Sequence, residues 1–462
     1  MNPHLVAPIH RCGSAGGSAV HRHENACQQG DPASYRWKMR MGPSGPKIRS
    51  VHAAQVSMQH IGSVLEECSA VARRRWSKGA KLARYAHFVG SLPRELMTSD
   101  LAVLQWFADH SAGWPLTAVP RDLDSDWVVD YLRSREKHDD AFEVVSAGDF
   151  ADYSDMRSYG VRPGCTLEPH HVSMGRAERI GEIVSEFESL QRSRPELVGT
   201  RVQISQPNPL DLALFVFAGA AVSLGLPVGQ ALRHCNVVIA ALRHLPVFVE
   251  AVLQEMTEVT SQYGDRIVWQ VESPIATLGM VKAEQLRAQR VLAPLLARQL
   301  AGFLIRTHEI GAATILHLCY GDYQHKNLLT PHTLAPTVNL LNRTARLMRK
   351  RGVPLPAVHI PCAYGADPAP LNPKFYTPLR RLDPDWQLIA GVVSPDDVDD
   401  SIHALALFEQ ASGRTGYGVA TACGLGRRTV EDARLAAAAT ITTARAGQHD
   451  DDQISPNTSS SM

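Results

Sequence analysis

Short apolar runs alternate with longer amphipathic stretches through most of the chain. Seven runs rich in β-branched and apolar residues, each leading into a loop, predict strands within residues 83–94, 200–210, 265–275, 313–322, 356–365, 387–396 and 417–426. Helical periodicity separates them, for example at residues 245–264, 282–311 and 333–352. Strict alternation of strand and helix implies parallel strands with right-handed crossovers. At least seven such strands over about 350 residues predict an α/β fold, a closed (β/α)8 TIM barrel.

Both ends of the chain lack this alternation. Residues 1–80 are rich in Gly, Ser, His and Pro without any period, and residues 447–462 are similarly polar. Such segments bury too little apolar surface to offset the entropy of the chain. The sequence therefore predicts a disordered extension, a barrel domain over residues 81–446 and a disordered tail. The Arg and Ser content of the extension leaves a transit peptide open as an alternative, although Glu24 and Asp31 argue against it.

The overall composition is that of a soluble globular protein. Of 462 residues, 44% are hydrophobic and 20% are charged, and the formal net charge is +1. This balance gives no electrostatic bias toward nucleic acid or a membrane surface. The most apolar stretch, residues 212–229, is interrupted by two glycines and a proline and follows Asp211, which predicts a buried helix rather than a membrane span. Eight thinly spread cysteines suit a reducing compartment, so we expect a cytoplasmic protein.

Two predicted strand ends carry residues that bind soft metal ions. His317 and Cys319 are two positions apart, so a strand points both side chains the same way, and Cys423 follows a later strand. The carboxyl ends of barrel strands meet at one rim. An imidazole and two thiolates suit zinc and leave a position open for a substrate thiol. The sequence predicts a zinc site there, while the alternative for a single His-x-Cys is a pair of core residues.

Four segments together resemble a known family. VGSLPR at 89–94, QVESP at 270–274, HLCYGD at 317–322 and CGLGRR at 423–428 are similar to segments of the catalytic barrel of cobalamin-independent methionine synthase, in the same order and with roughly the same spacing. That family shares a superfamily with uroporphyrinogen decarboxylase. The resemblance runs from about residue 82 to 446. It implies a TIM barrel enzyme of methionine biosynthesis that transfers a methyl group to a thiol, with zinc bound by His317, Cys319 and Cys423.

The resemblance also implies contacts to the substrate. Gly90 and Ser91 match the positions that bind the carboxylate of the amino-acid substrate, and Glu272 matches the residue that binds its amine. An ordinary tight turn at Gly90 and Ser91, and a surface or ion-paired Glu272, are the alternatives.

The chain departs from the family pattern at two places. The fourth zinc ligand of the family, a glutamate, falls at Cys362, whose thiolate can replace a carboxylate; His359 and Asp367 are further candidates, and a core cysteine is the alternative. The proton-donating histidine of the family is missing, and Asp396 and Asp397 stand in its place. A carboxyl group would need a raised pKa to protonate a leaving amine.

The chain resembles the short, single-barrel forms of the family, so we expect it to act without the long N-terminal barrel of full-length members. We expect a zinc-dependent transferase whose partners are a small-molecule thiol and a methyl or alkyl donor. Two alternatives stay open: a zinc-dependent lyase that cleaves alkyl thiols on the same scaffold, and a barrel without catalytic activity.

Overall fold

The computed structural model describes residues 84–447, except 125, 153–154, 220–227, 322–325, 327 and 365. Its strands, in chain order, are β1 (Tyr85–Ala86), β2 (Val119–Pro120), β3 (Phe142–Ser146), β4 (Ser158–Val161), β5 (Val202–Pro207), β6 (Ile267–Glu272), β7 (Thr314–His317), β8 (Ala357–Pro361), β9 (Gln387–Val393) and β10 (Gly418–Thr421). Among the described residues, eight of these strands form one parallel sheet in the order β1-β10-β9-β8-β7-β6-β5-β2. The other two, β3 and β4, form an antiparallel hairpin.

Helices surround the sheet. They are α1 (Asp100–His110), α2 (Val129–Ser134), α3 (Pro169–Val172), α4 (Ala177–Ser193), α5 (Pro209–Ala218), α6 (Val228–Tyr263), α7 (Pro274–Gln285), α8 (Gln289–Glu309), α9 (Ala335–Arg349), α10 (Pro373–Tyr376), α11 (Val398–Ser412) and α12 (Val430–Arg445). Short 3-10 turns lie at Arg94–Leu96, Arg135–Lys137, Pro195–Leu197 and Thr377–Arg381.

Hydrogen bonds bring the two ends of the sheet together. Ala86 of β1 forms a parallel bridge with Leu116, just before β2. The amide of Ala86 donates to the carbonyl of Pro115, and the amide of Thr117 donates to the carbonyl of Ala86, both at 3.0 Å. This pairing curls the sheet into a barrel and protects its edges. The predicted α/β barrel is confirmed, as are all seven strands predicted from the sequence.

The interior of the barrel changes from apolar to polar along its axis. Side chains alternate between the two faces of a strand, so Val268, Gln270 and Glu272 of β6 share one face. Val268 belongs to a small cluster of apolar residues from several neighbouring strands. Gln270, Glu272 and His317 are buried nearer the carboxyl ends of the strands. The polar part of the interior therefore lies at the rim where barrel enzymes place their active sites.

The most apolar stretch of the chain folds into α5, whose ten residues are all buried. In the part of the chain that the structure describes, no helix combines the length and the apolar composition needed to cross a membrane. The buried helix predicted from residue 212 onward is confirmed up to Ala218. The predicted extension and tail, residues 1–80 and 447–462, lie outside the described residues apart from Gly447.

Asp211 predicts how stability depends on pH. It is fully buried in the first turn of α5, where its Oδ1 accepts a hydrogen bond from the amide of Ile275 at 2.9 Å, and burial raises its pKa well above the usual range. The folded state therefore keeps a proton that the unfolded chain releases above about pH 4, so stability falls as pH rises above that value. Asp211→Asn is expected to remove this loss and to gain about 1 kcal/mol or more over wild type between pH 5 and pH 8. Urea unfolding of both proteins at pH 5 and pH 8 measures the gain. A difference in unfolding free energy between variant and wild type that is the same at both pH values would contradict the prediction.

Candidate active site

The ends of β7 and β10 bring an imidazole and two thiols to one point of the barrel rim. His317 is the last residue of β7, Cys319 lies two residues later, and Cys423 lies two residues after β10. Their ligand atoms all lie within 4.8 Å of one another. Two sulfurs bound to one tetrahedral zinc ion are about 4 Å apart. The spacing therefore fits a single zinc ion.

The environment of these side chains also fits a metal. His317 and Cys319 are buried, and Cys423 is half-buried. Burial lowers the pKa of His317 well below its usual value, which keeps the imidazole in the neutral form that binds metals. Its Nδ1 is buried without a hydrogen-bond partner among the described residues. The hydrogen bond with Cys423, followed by burial, raises the pKa of Cys319 well above the ordinary thiol value, so ionisation requires a nearby cation.

A pocket opens beside this group at the rim of the barrel. One wall is apolar and includes Trp127, Met156 and Phe215. The rings of Trp127 and Phe215 meet edge to face, with centroids 5.2 Å apart. His317, Cys319 and Cys423 also line the pocket. An apolar wall beside a few converging polar groups is typical of a site for a small molecule.

Two carboxyl groups, Glu272 and Asp122, line the same pocket. Trp127 Nε1 donates to Glu272 Oε2 at 2.5 Å, and Gln270 Nε2 donates to Glu272 Oε1 at 2.9 Å. Burial, and then the neighbouring Asp122, raises the pKa of Glu272 to about 8, while burial raises the pKa of Asp122 to about 6. Carboxylates that repel each other in a buried place are stabilised by a cation bound between them. The pair can therefore bind an amine.

The turn after β1 packs against the segment that follows Cys423. Gly90 and Ser91 both have left-handed backbone conformations, with φ of 123° and 42°. The amide of Leu425 donates to the carbonyl of Gly90, and the amide of Gly426 donates to Ser91 Oγ, each at 3.1 Å. These bonds fix Ser91 in the pocket wall beside Cys423.

Gly424 allows this close approach. A Cβ at Gly424 would lie 2.7 Å from the carbonyl oxygen of Gly90 and closer still to Ser91 Oγ. Gly424→Ala is therefore expected to destabilise the fold by about 1–3 kcal/mol through overpacking. Denaturant unfolding measures the loss. Gly302→Ala is the control, because a Cβ at this glycine of α8 meets nothing within 4 Å; equal effects of the two changes would contradict the prediction.

Three residues named from the sequence lie apart from this site. Cys362 is buried in the main apolar core outside the His-Cys-Cys group, and its Sγ lies 3.7 Å from the carbonyl oxygen of Ile360. Asp396 and Asp397 are exposed before α11, and Asp397 caps that helix by accepting a hydrogen bond from the amide of Asp400 at 2.9 Å. The structure does not place these three among the described residues that line the pocket. Their roles as ligand and proton donors stay predictions.

The other two candidates for a fourth ligand also lie outside the group of His317, Cys319 and Cys423. The ring nitrogens of His359 lie 3.2 Å from the carbonyl oxygen of Leu318 and 2.9 Å from that of Thr421. Asp367 is exposed. By contrast, Asp122 lines the pocket but was not predicted from the sequence, because it follows β2, a strand of two residues.

No family model matches the chain, and no curated protein matches it. Among solved structures, it is similar to a B12-independent methionine synthase from Shewanella sp. W3-18-1 in complex with selenomethionine, with 12% identity, a TM-score of 0.44, and coverage of 79% of this chain and 98% of that one. It is also similar to a methyltransferase from Methanosarcina mazei, with 13% identity, a TM-score of 0.43, and coverage of 78% and 94%. The first of these bears the name of the family that the sequence motifs resemble. Likeness at this level carries no conclusion about function.

Proposed function

We propose that this protein is a zinc-dependent enzyme of the methionine synthase type that transfers a methyl or alkyl group to a small-molecule thiol. The observation that carries the proposal is the group formed by His317, Cys319 and Cys423, whose ligand atoms lie within 4.8 Å of one another beside a pocket. The resemblance of the sequence motifs to the methionine synthase family supports the same chemistry.

In this proposal His317, Cys319 and Cys423 hold the zinc ion. When bound, zinc acts as a Lewis acid that lowers the pKa of a coordinating thiol and keeps it nucleophilic near neutral pH. The apolar wall around Trp127 and Phe215 excludes water from the reacting groups and contacts the apolar part of the alkyl donor.

The polar wall of the pocket favours an amino-acid thiol such as homocysteine. Glu272 and Asp122 bind the ammonium group, and each carboxylate is stabilised by the positive charge. Trp127 and Gln270 hold both oxygens of Glu272 in place. Gly90 and Ser91 bind the carboxylate of the same substrate. Fixing both ends of the amino acid directs its sulfur toward the metal ligands.

We also place the enzyme in the cytoplasm. The described cysteines Cys165, Cys319, Cys362 and Cys423 are free, as expected in a reducing compartment. Reduced thiols are what a zinc site of this kind requires.

Elemental analysis of the purified full-length protein tests the proposal first, and about one zinc ion per chain is the expected result. Product analysis by mass spectrometry then follows, with homocysteine and other small thiols offered together with methyl and alkyl donors. A methylated or alkylated thiol is expected. Cleavage of an alkyl thioether without transfer would identify a lyase instead, and absence of stoichiometric metal would overturn the proposal.

A further inference from the structure

The metal-ligand segments lie on strands that are not neighbours. His317 is the last residue of β7 and Cys319 lies two residues later, while Cys423 follows β10. In the sheet, β8 and β9 separate β7 from β10. No ladder of backbone hydrogen bonds can therefore set the distance between the two segments directly. Something else must hold them in register, because a zinc site tolerates only small errors in ligand position.

The side chain of His359 spans this gap. It is a fully buried residue of β8, and its Nδ1 lies 3.2 Å from the carbonyl oxygen of Leu318. Leu318 lies between His317 and Cys319 in the chain. Its Nε2 lies 2.9 Å from the carbonyl oxygen of Thr421, two residues before Cys423. A neutral imidazole donates to one of these carbonyls, and a protonated one donates to both. One ring thus contacts both ligand-bearing segments.

The same ring also orients a ligand side chain. The imidazoles of His359 and His317 stack with centroids 4.5 Å apart and an angle of 16° between their planes. This contact restricts rotation of the His317 ring about its own side chain. His359 therefore touches the backbone of both segments and the ring of one ligand.

A glycine in β9 leaves room for this arrangement. A Cβ at Gly391 would lie 2.6 Å from His359 Nε2 and 2.9 Å from its Cε1. The same Cβ would lie 2.9 Å from the carbonyl oxygen of Ile360, so a larger residue at that position would displace the His359 ring, the β8 backbone or both. The bridge thus depends on both His359 and Gly391.

From this geometry we infer that His359 is a positioning residue, which sets the distance between the β7 and β10 segments and the orientation of the His317 ring. The inference rests on the proposed function, because it assumes that His317, Cys319 and Cys423 bind zinc. His359 itself does not bind the metal in this role; it acts through the three ligands. Outer partners of this kind strengthen metal binding by roughly 10- to 100-fold.

The test compares His359→Phe with His87→Phe in the full-length chain. Phenylalanine keeps a ring of similar size but removes the nitrogens. His87 is a matched control, because it is also fully buried, with its ring centroid 6.0 Å from that of His359, while its Nδ1 forms its hydrogen bond with Thr117 Oγ1, at 2.7 Å, and not with Leu318 or Thr421. Zinc affinity is measured by competition with a chelating indicator, and the site geometry is read from the thiolate-to-cobalt absorption after Co²⁺ is added to metal-free protein.

His359→Phe is expected to bind zinc about 10- to 100-fold more weakly and to shift the cobalt spectrum, while His87→Phe keeps wild-type values. His359→Gln, whose side-chain amide can still donate to a carbonyl, is expected to lose less and serves as the readout where the Phe variant does not fold. Gly391→Ala is expected to reproduce the spectral shift with His359 still present. Wild-type affinity and spectrum in His359→Phe, or equal losses in both Phe variants, would overturn the inference while leaving the proposed function intact. Absence of zinc binding by wild type would instead overturn the proposed function.

Discussion

Replacing Cys319 with serine is expected to remove most of the bound zinc and to abolish transfer to a thiol. A serine hydroxyl keeps its proton at neutral pH and is a far weaker zinc ligand than a thiolate. The group within 4.8 Å has three members among the described residues, so the variant retains only His317 and Cys423. We expect zinc affinity to fall on the order of 100-fold or more. Elemental analysis after dialysis measures the zinc, and mass spectrometry measures the product.

Two other cysteines provide comparison variants for this experiment. Cys165→Ser is the control, because Cys165 is a free, half-buried cysteine outside the metal group. Cys362→Ser tests the fourth ligand predicted from the sequence, and the structure leads us to expect unchanged zinc content, since Cys362 lies in the apolar core. Full zinc occupancy in Cys319→Ser would contradict the assignment of the site.

The strands that are easiest to predict from the sequence are those with long apolar runs. β5, β6 and β9 have six or seven residues each, and nearly all are buried, so their apolar runs are distinct from the helices around them. β2 is not predicted, because it has only two residues and one of them is Pro120. β1 is equally short, but the apolar residues Phe88 and Val89 extend its signal. The hairpin of β3 and β4 was missed because four of the five residues of β3 are exposed, which leaves little apolar signal.

The same physics separates the predictable from the unpredictable residues of the site. The carboxyl ends of parallel strands share one rim, so the meeting of His317, Cys319 and Cys423 follows from their positions at strand ends. The face of the sheet on which a given side chain lies is harder to predict. His359 points into the barrel, so Cys362, three residues later, belongs to the opposite face and packs in the outer core. A motif resemblance does not fix this register.

Asp122 could not be predicted as a site residue, because the strand before it was not predicted. Its position at the rim depends on β2, and without that strand the segment looks like an acidic loop. The structure places it in the pocket with Glu272, on the end of β6, and thereby supplies a second carboxyl group for an amine. The substrate class that we propose depends on both residues, although the sequence indicated only one of them.

Glu272→Gln is expected to lower kcat/KM for homocysteine by about 100-fold, because glutamine cannot form the carboxylate that the ammonium group of the substrate stabilises. Glutamine has nearly the same shape, and its carbonyl oxygen can still accept the hydrogen bond from Trp127 Nε1, while the one from Gln270 Nε2 is lost because an amide NH₂ group cannot accept it. Zinc content should stay at the wild-type level, since Glu272 is not one of the metal ligands. Steady-state kinetics with product detection by mass spectrometry gives the value.

The control for this variant is a substrate that lacks the amine. 4-Mercaptobutanoate keeps the thiol, the chain length and the carboxylate of homocysteine, so its kcat/KM should be the same in wild type and Glu272→Gln. If the variant loses activity equally with both thiols, Glu272 supports the fold or the metal group and does not bind the amine. If it loses activity with neither, the amine binds elsewhere. Only a loss restricted to homocysteine supports the carboxyl pair as the determinant of substrate choice.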